Sequence, residues 1–124
     1  SLETIGNAAF HGTDITGTLT VPDKVKSIGV NAFRGITELT GLDLSGATSL
    51  ETIGNEAFRG TDITGTLTVP DKVKSIGDVA FHGTELTGLD LSGATSLETI
   101  GNAAFHGTDI TGTLTVPDKV KSIG

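Results

Sequence analysis

The 124-residue chain reads as an α/β solenoid, with a parallel β-sheet on its concave face and loops and short 3₁₀ or α turns on its convex face. Three observations predict it. The stretch TDITGTLTVPDKVKSIG occurs unchanged at residues 13–29, 61–77 and 108–124. Ile-Gly pairs begin at Ile5, Ile28, Ile53, Ile76, Ile100 and Ile123, so successive differences are 23, 25, 23, 24 and 23 residues. Ala-Phe pairs keep the same beat, ending at Phe10, Phe33, Phe58, Phe81 and Phe105. A fixed period of roughly 20–50 residues redefines a fold, because one unit cannot bury its own apolar face and must stack on a neighbour.

The module is about 24 residues long and alternates between two forms, ITGTLTVPDKVKSIG and LTGLDLSGATSLETIG. Together they make a unit of about 47 residues; Leu2, Leu50 and Leu97 are 48 and then 47 apart, with one residue inserted near Ile36. The expected organisation is a single solenoid domain over 1–124, five coils in alternating pairs.

Each element follows from local chemistry. In ITGTLTVP, Leu19 and Val21 alternate with Thr18 and Thr20, the period-2 pattern of a half-buried strand. Pro22 ends that strand, having no N–H for a ladder. Leu42 and Leu44 alternate with Asp43 and Ser45 in the same way. Val25 and Ile28, or Leu50 and Ile53, then fill the coil interior. NAAFHG and NEAFRG are too short for a standard helix and predict a single α or 3₁₀ turn, with Ala and Phe inward and Gly closing it.

Composition narrows the function classes. There is no Cys, Met, Trp or Tyr, so disulfides and thiolate sites are excluded. A net charge of −7 argues against nucleic acid and anionic membrane surfaces, which attract Lys and Arg clusters. No apolar run approaches the roughly 18 residues of a membrane span. The expectation is a soluble, acidic domain.

A period of about 20–29 residues with aliphatics at short fixed offsets is that of a leucine-rich-repeat solenoid. The order Ile-Gly, Ala-Phe, strand, Pro, Val is similar to the BspA-like (Treponema-type) leucine-rich repeats, built on a motif like LxxIxxxAFxxCxxLxxIxIPxxVxxIG. The resemblance spans the chain in five staggered copies. It departs where Thr13, Thr61, Thr84, Thr108 and Ile36 replace the Cys three residues after Phe, and where the second form lacks Pro. A small buried Thr with its hydroxyl bonded locally fills the Cys position. The resemblance implies a surface protein of bacteria or protozoa, cell-surface or secreted, that binds other proteins or aids adhesion.

Residues 96–124 match residues 1–29 at every position, exposed Thr, Asp and Lys included. Separate copies normally drift on exposed faces, where substitutions cost less than about 0.5 kcal/mol. Either the duplication is very recent or the chain is a consensus design assembled from one idealised unit; the second is the expectation.

Catalytic chemistry is not expected. His11, Arg59 and His106 interchange at one position, so the histidines read as solvent-facing side chains. The serines have no partner His or acid at a fixed offset, and the glycines form no phosphate-binding motif. The face expected to bind is the strand face, with outward Thr18, Thr20, Asp43, Ser45, Thr66, Thr68, Asp90, Ser92, Thr113 and Thr115. Its Thr pairs occur only on alternate coils with Asp interleaved, which breaks any flat Thr array. Asp43 and Asp90 are weak Ca²⁺ candidates, forming acidic rows with Asp14, Asp62, Asp109, Glu38 and Glu85 at the preceding corners; no loop concentrates several carboxylates, so a weak surface site or Ca²⁺-linked assembly through these rows is the alternative expectation. The recurring DKVK segments read as a solvated mixed-charge stripe. No distinct capping repeat is visible, so open edges are expected at strands 15–21 and 110–116. The partners expected are therefore the chain itself, as a dimer or head-to-tail assembly, or a protein ligand.

Overall fold

A computed structural model describes residues 3–7, 10, 16–111, 117 and 120–123. Each turn of the chain passes three stations: a short strand ending in Ile, a turn carrying Phe, and a longer strand.

The first station builds the longest sheet. β1 (Thr4–Ile5), β3 (Ser27–Ile28), β5 (Thr52–Ile53), β7 (Ser75–Ile76), β9 (Thr99–Ile100) and β10 (Ser122–Ile123) pair in parallel, in the order β1-β3-β5-β7-β9-β10. The register places Ile5 on Ile28, Ile28 on Ile53, Ile53 on Ile76 and Ile76 on Ile100. Each of those side chains points inward and is buried. Just before these strands the ladder continues from Lys26 N–H to the Glu3 carbonyl, Glu51 to Lys26, Lys74 to Glu51 and Glu98 to Lys74, at 2.6–2.9 Å. The alternation of the two module forms also alternates charge along this ladder. LETIG supplies Glu and KVKSIG supplies Lys, so opposite charges stack down the coil, with Lys26–Glu3 at 3.5 Å and Lys74–Glu51 at 3.8 Å. Like charges directly opposite would be destabilising.

The second station holds the aromatic core. Phe10, Phe33, Phe58, Phe81 and Phe105 stack with centroids 4.9–5.4 Å apart and planes within 9°. The expected single helical turn gives way to a different backbone. Phe33 N–H donates to the Ala57 carbonyl of the next coil at 2.8 Å, while Ala32 and Arg34 N–H close four-residue turns on the Gly29 and Asn31 carbonyls. Alternate N–H groups thus leave the coil, whereas a helix would keep all of them inside. The reversal needs a left-handed residue, and Asn31, Glu56, Val79 and Ala103 take it with φ of 61°, 57°, 57° and 53°. At the position of the family Cys, Thr61 is buried with its hydroxyl donating to the Phe58 carbonyl at 2.9 Å. Thr108 does the same to Phe105 at 2.8 Å. Buried Thr84 has no such partner for its hydroxyl. Ile36 takes the place in the remaining described coil, and the inserted residue is absorbed before Leu39, whose N–H bonds Ile36 at 3.2 Å.

The third station differs most from expectation. The long strands do not form one sheet: β2 (Gly17–Thr20) pairs with β4 (Leu39–Asp43), and β6 (Thr64–Thr68) with β8 (Glu85–Asp90). Both pairs are parallel, and both carry a bulge before Thr18 or Thr66. Between β4 and β6 the described backbone bond is Asp62 N–H to the Leu39 carbonyl at 3.1 Å, backed by Thr64 Oγ1 to the Thr40 carbonyl at 3.2 Å. Below that point the pairs part. β6 itself ends at Thr68, two residues before Pro70, which has no N–H to carry a ladder on.

Candidate binding groove on the strand face

Parting of the strand pairs opens a groove of about 390 Å³. Leu42, Leu44, Ala47 and Pro70 give it apolar walls, Ser45, Thr48, Thr66 and Thr68 line it with hydroxyls, and Asp43 and Asp71 add negative charge. The two strands bordering it still present backbone groups. Val21 N–H donates to Asp43 and Val69 N–H to Asp90, each at 3.1 Å, so these residues face across their own pair. By the alternation of a strand, the backbone of Leu42 on one side, and of Thr66 and Thr68 on the other, faces the gap, while the Leu44 carbonyl is taken by Ala47 N–H at 3.0 Å.

The structure places the residues expected on the outward strand face in different surroundings. Asp43, Ser45, Thr66 and Thr68 line it together. Thr18, Thr20 and Ser92 are exposed on the strand stations outside it, where Asp90 is half-buried; Thr113 and Thr115 lie outside the described residues. Thr18 stands over Gly41 and Thr66 over Gly88, where an added Cβ would come within 2.6 Å of the threonine hydroxyl. Thr20 sits beside Asp43 and Thr68 beside Asp90. Gly and Asp therefore interrupt the threonine rows.

Asp43 accepts from both the hydroxyl (2.6 Å) and the backbone N–H (2.9 Å) of Ser45. The Ser45 hydroxyl bond, then the backbone bond, hold its carboxyl below the ordinary value, against a small upward push from desolvation. Asp90 and Ser92 repeat this arrangement. Both aspartates are therefore anionic at neutral pH. They sit on different strand pairs, each occupied by its own serine, and no group of three or more metal-ligating side chains occurs among the described residues.

Sequence reasoning missed several participants. Pro70 and Asp71 enter the groove because the strand before them diverges, and their PD dipeptide carries only a turn signal. A second missed feature is a row of side-chain oxygens on the residue that follows the Ile-Gly pair. Asn7 Oδ1 accepts from Val30 N–H (2.8 Å), Asn55 from Asp78 (2.8 Å), and Asp78 from Asn102 (2.7 Å). Val30, which has no such oxygen, breaks the row. A third is the meeting of histidines: the half-buried His82 ring stacks on exposed His106 with centroids 5.1 Å apart. Arg59, at the matching position one coil earlier, is paired with Glu56 at 2.6 Å, and Arg34 approaches the same carboxylate at 3.8 Å.

Parallel strands, an internal aliphatic column and a side-chain-bearing strand face define the class: a leucine-rich-repeat β-solenoid. Six copies of the BspA type leucine rich repeat region match the chain over residues 3–124. The chain belongs to that family. Among solved structures, a leucine rich cell surface protein from Faecalibacterium prausnitzii is similar over 99% of this chain, with 25% identity and a TM-score of 0.59. The chain spans 39% of that protein's length. No curated protein matches it.

Proposed function

We propose that the chain is a protein-binding module that takes an extended, basic segment of a partner polypeptide into the groove between β4 and β6. The observation that carries this reading is the break in the sheet. It leaves backbone groups facing a gap with apolar walls, and Asp43 and Asp71 supply the charge that a Lys- or Arg-bearing strand complements. A net charge of −7 favours the same partners through long-range attraction. The similarity to a leucine rich cell surface protein supports a cell-surface setting. The test is fluorescence anisotropy with extended peptides of matched length, basic against acidic. Basic peptides bind, more weakly as salt rises, and Asp43→Asn with Asp71→Asn lowers affinity about three- to tenfold. Equal affinity for the acidic peptides, or no loss in the double variant, overturns the reading.

A further inference from the structure

The histidines at the Phe turns lie away from the groove, and their geometry suits a different ligand. His106 Nδ1 and His82 Nε2 face one another at 3.1 Å. The backbone holds them there, because Gly60 N–H bonds the His82 carbonyl and Gly83 N–H the His106 carbonyl, both at 2.9 Å. Two imidazole nitrogens each about 2.0–2.1 Å from a shared ion, and 3.1 Å apart, subtend about 95–102° at that ion. This lies between the right angle of adjacent square-planar ligands and the tetrahedral angle, the geometries of Cu²⁺ and Zn²⁺. We propose that His82 and His106 form a bidentate site for a divalent transition-metal ion of the Zn²⁺ and Cu²⁺ class, with water completing the shell.

The protons balance. In the hydrogen-bonded pair, one of the two facing nitrogens carries a proton and the other accepts it. The ion requires lone pairs on both, so that proton moves through solvent to the far nitrogen of its own ring. When both rings are neutral no net proton is released. Neighbouring charge does not forbid the ion: Arg59, one coil earlier in the same column, is already paired with Glu56 at 2.6 Å. The exposed side of His106 leaves room for water ligands. Because the ligands come from successive coils, a bound ion ties the coils together and stabilises the folded state by mass action.

The experiment titrates ZnCl₂ and CuCl₂ into the full chain, followed by calorimetry, thermal unfolding and imidazole nitrogen NMR, with CaCl₂ as control. The expected result is one ion per chain, a Tm that rises with Zn²⁺ or Cu²⁺ but not with Ca²⁺, and shifts at His82 Nε2 and His106 Nδ1. His106→Arg installs the residue that two other coils carry there. It lowers affinity by about tenfold or more without changing the metal-free Tm, and His106→Ala does the same. His11→Arg leaves binding intact. Unchanged binding in both His106 variants, or a Ca²⁺ effect equal to that of Zn²⁺, overturns the proposal.

Discussion

Gly6 and Gly54 occupy identical local sequence, Thr-Ile-Gly-Asn, so any difference between Gly6→Ala and Gly54→Ala must come from stacking. At Gly54 a Cβ would stand 2.7 Å from the Gly29 carbonyl carbon, 2.8 Å from Val30 N and 2.9 Å from the Ile28 carbonyl oxygen. At Gly6 it meets nothing within 4 Å. All three atoms beside Gly54 are backbone, so no side chain can swing away. Relief requires the coils to separate by several tenths of an ångström, against the 2.8 Å bond from Gly54 N–H to Ile28 and the 5.2 Å stack of Phe33 on Phe58. Overpacking of this kind costs about 1–3 kcal/mol. The opposing gain from stiffening the unfolded chain, about 0.4–1 kcal/mol, applies to both variants and cancels in the comparison. For 124 residues the unfolding entropy is about 260 cal/mol/K, so 1 kcal/mol moves Tm by about 4 °C. Gly54→Ala should therefore melt about 4–12 °C below Gly6→Ala by circular dichroism. Equal melting temperatures, or a more stable Gly54→Ala, would refute the stacking geometry.

Val30→Asn restores the missing carbonyl beside Asn55 N–H and should raise stability by about 0.5–1 kcal/mol in chemical denaturation, where the same change at an unrelated surface site does nothing. Val79 is a β-branched residue held at φ 57°, so Val79→Asn should gain about 1 kcal/mol; a loss would show that its side chain contributes packing beyond the strain. Lys74→Glu places three carboxylates in a row with Glu51 and Glu98. It should cost up to about 1 kcal/mol in low salt, a penalty that shrinks as NaCl is added. Ser45→Ala removes both the hydroxyl donor and its lowering of the Asp43 carboxyl, so NMR titration should find Asp43 closer to 3.8 than in the parent chain. A carboxyl depressed in the folded state contributes stability above its unfolded value, lost as pH falls through the folded value. The Ser45→Ala chain should accordingly lose less stability on acidification below pH about 4 than the parent does.

The period, the Ile-Gly and Ala-Phe beats and the inward Leu, Ile, Val and Phe column were legible in the letters alone. Periodic burial is a one-coil property, repeated. The local bond of buried Thr61 to the Phe58 carbonyl was legible too, whereas the unpartnered hydroxyl of buried Thr84 was not. What required the tertiary structure are the relations between residues 22–25 apart, which depend on how coils of unequal length stack. In the stacked coils the long strands divide into two pairs and a groove opens at Asp43, Thr66 and Asp71. Stacking also turns Asn7, Asn55 and Asp78 into a bonded row, forces Asn31, Glu56, Val79 and Ala103 into the left-handed region, and brings His82 to His106. A repeated sequence specifies the coil; how neighbouring coils stack decides where its surface opens.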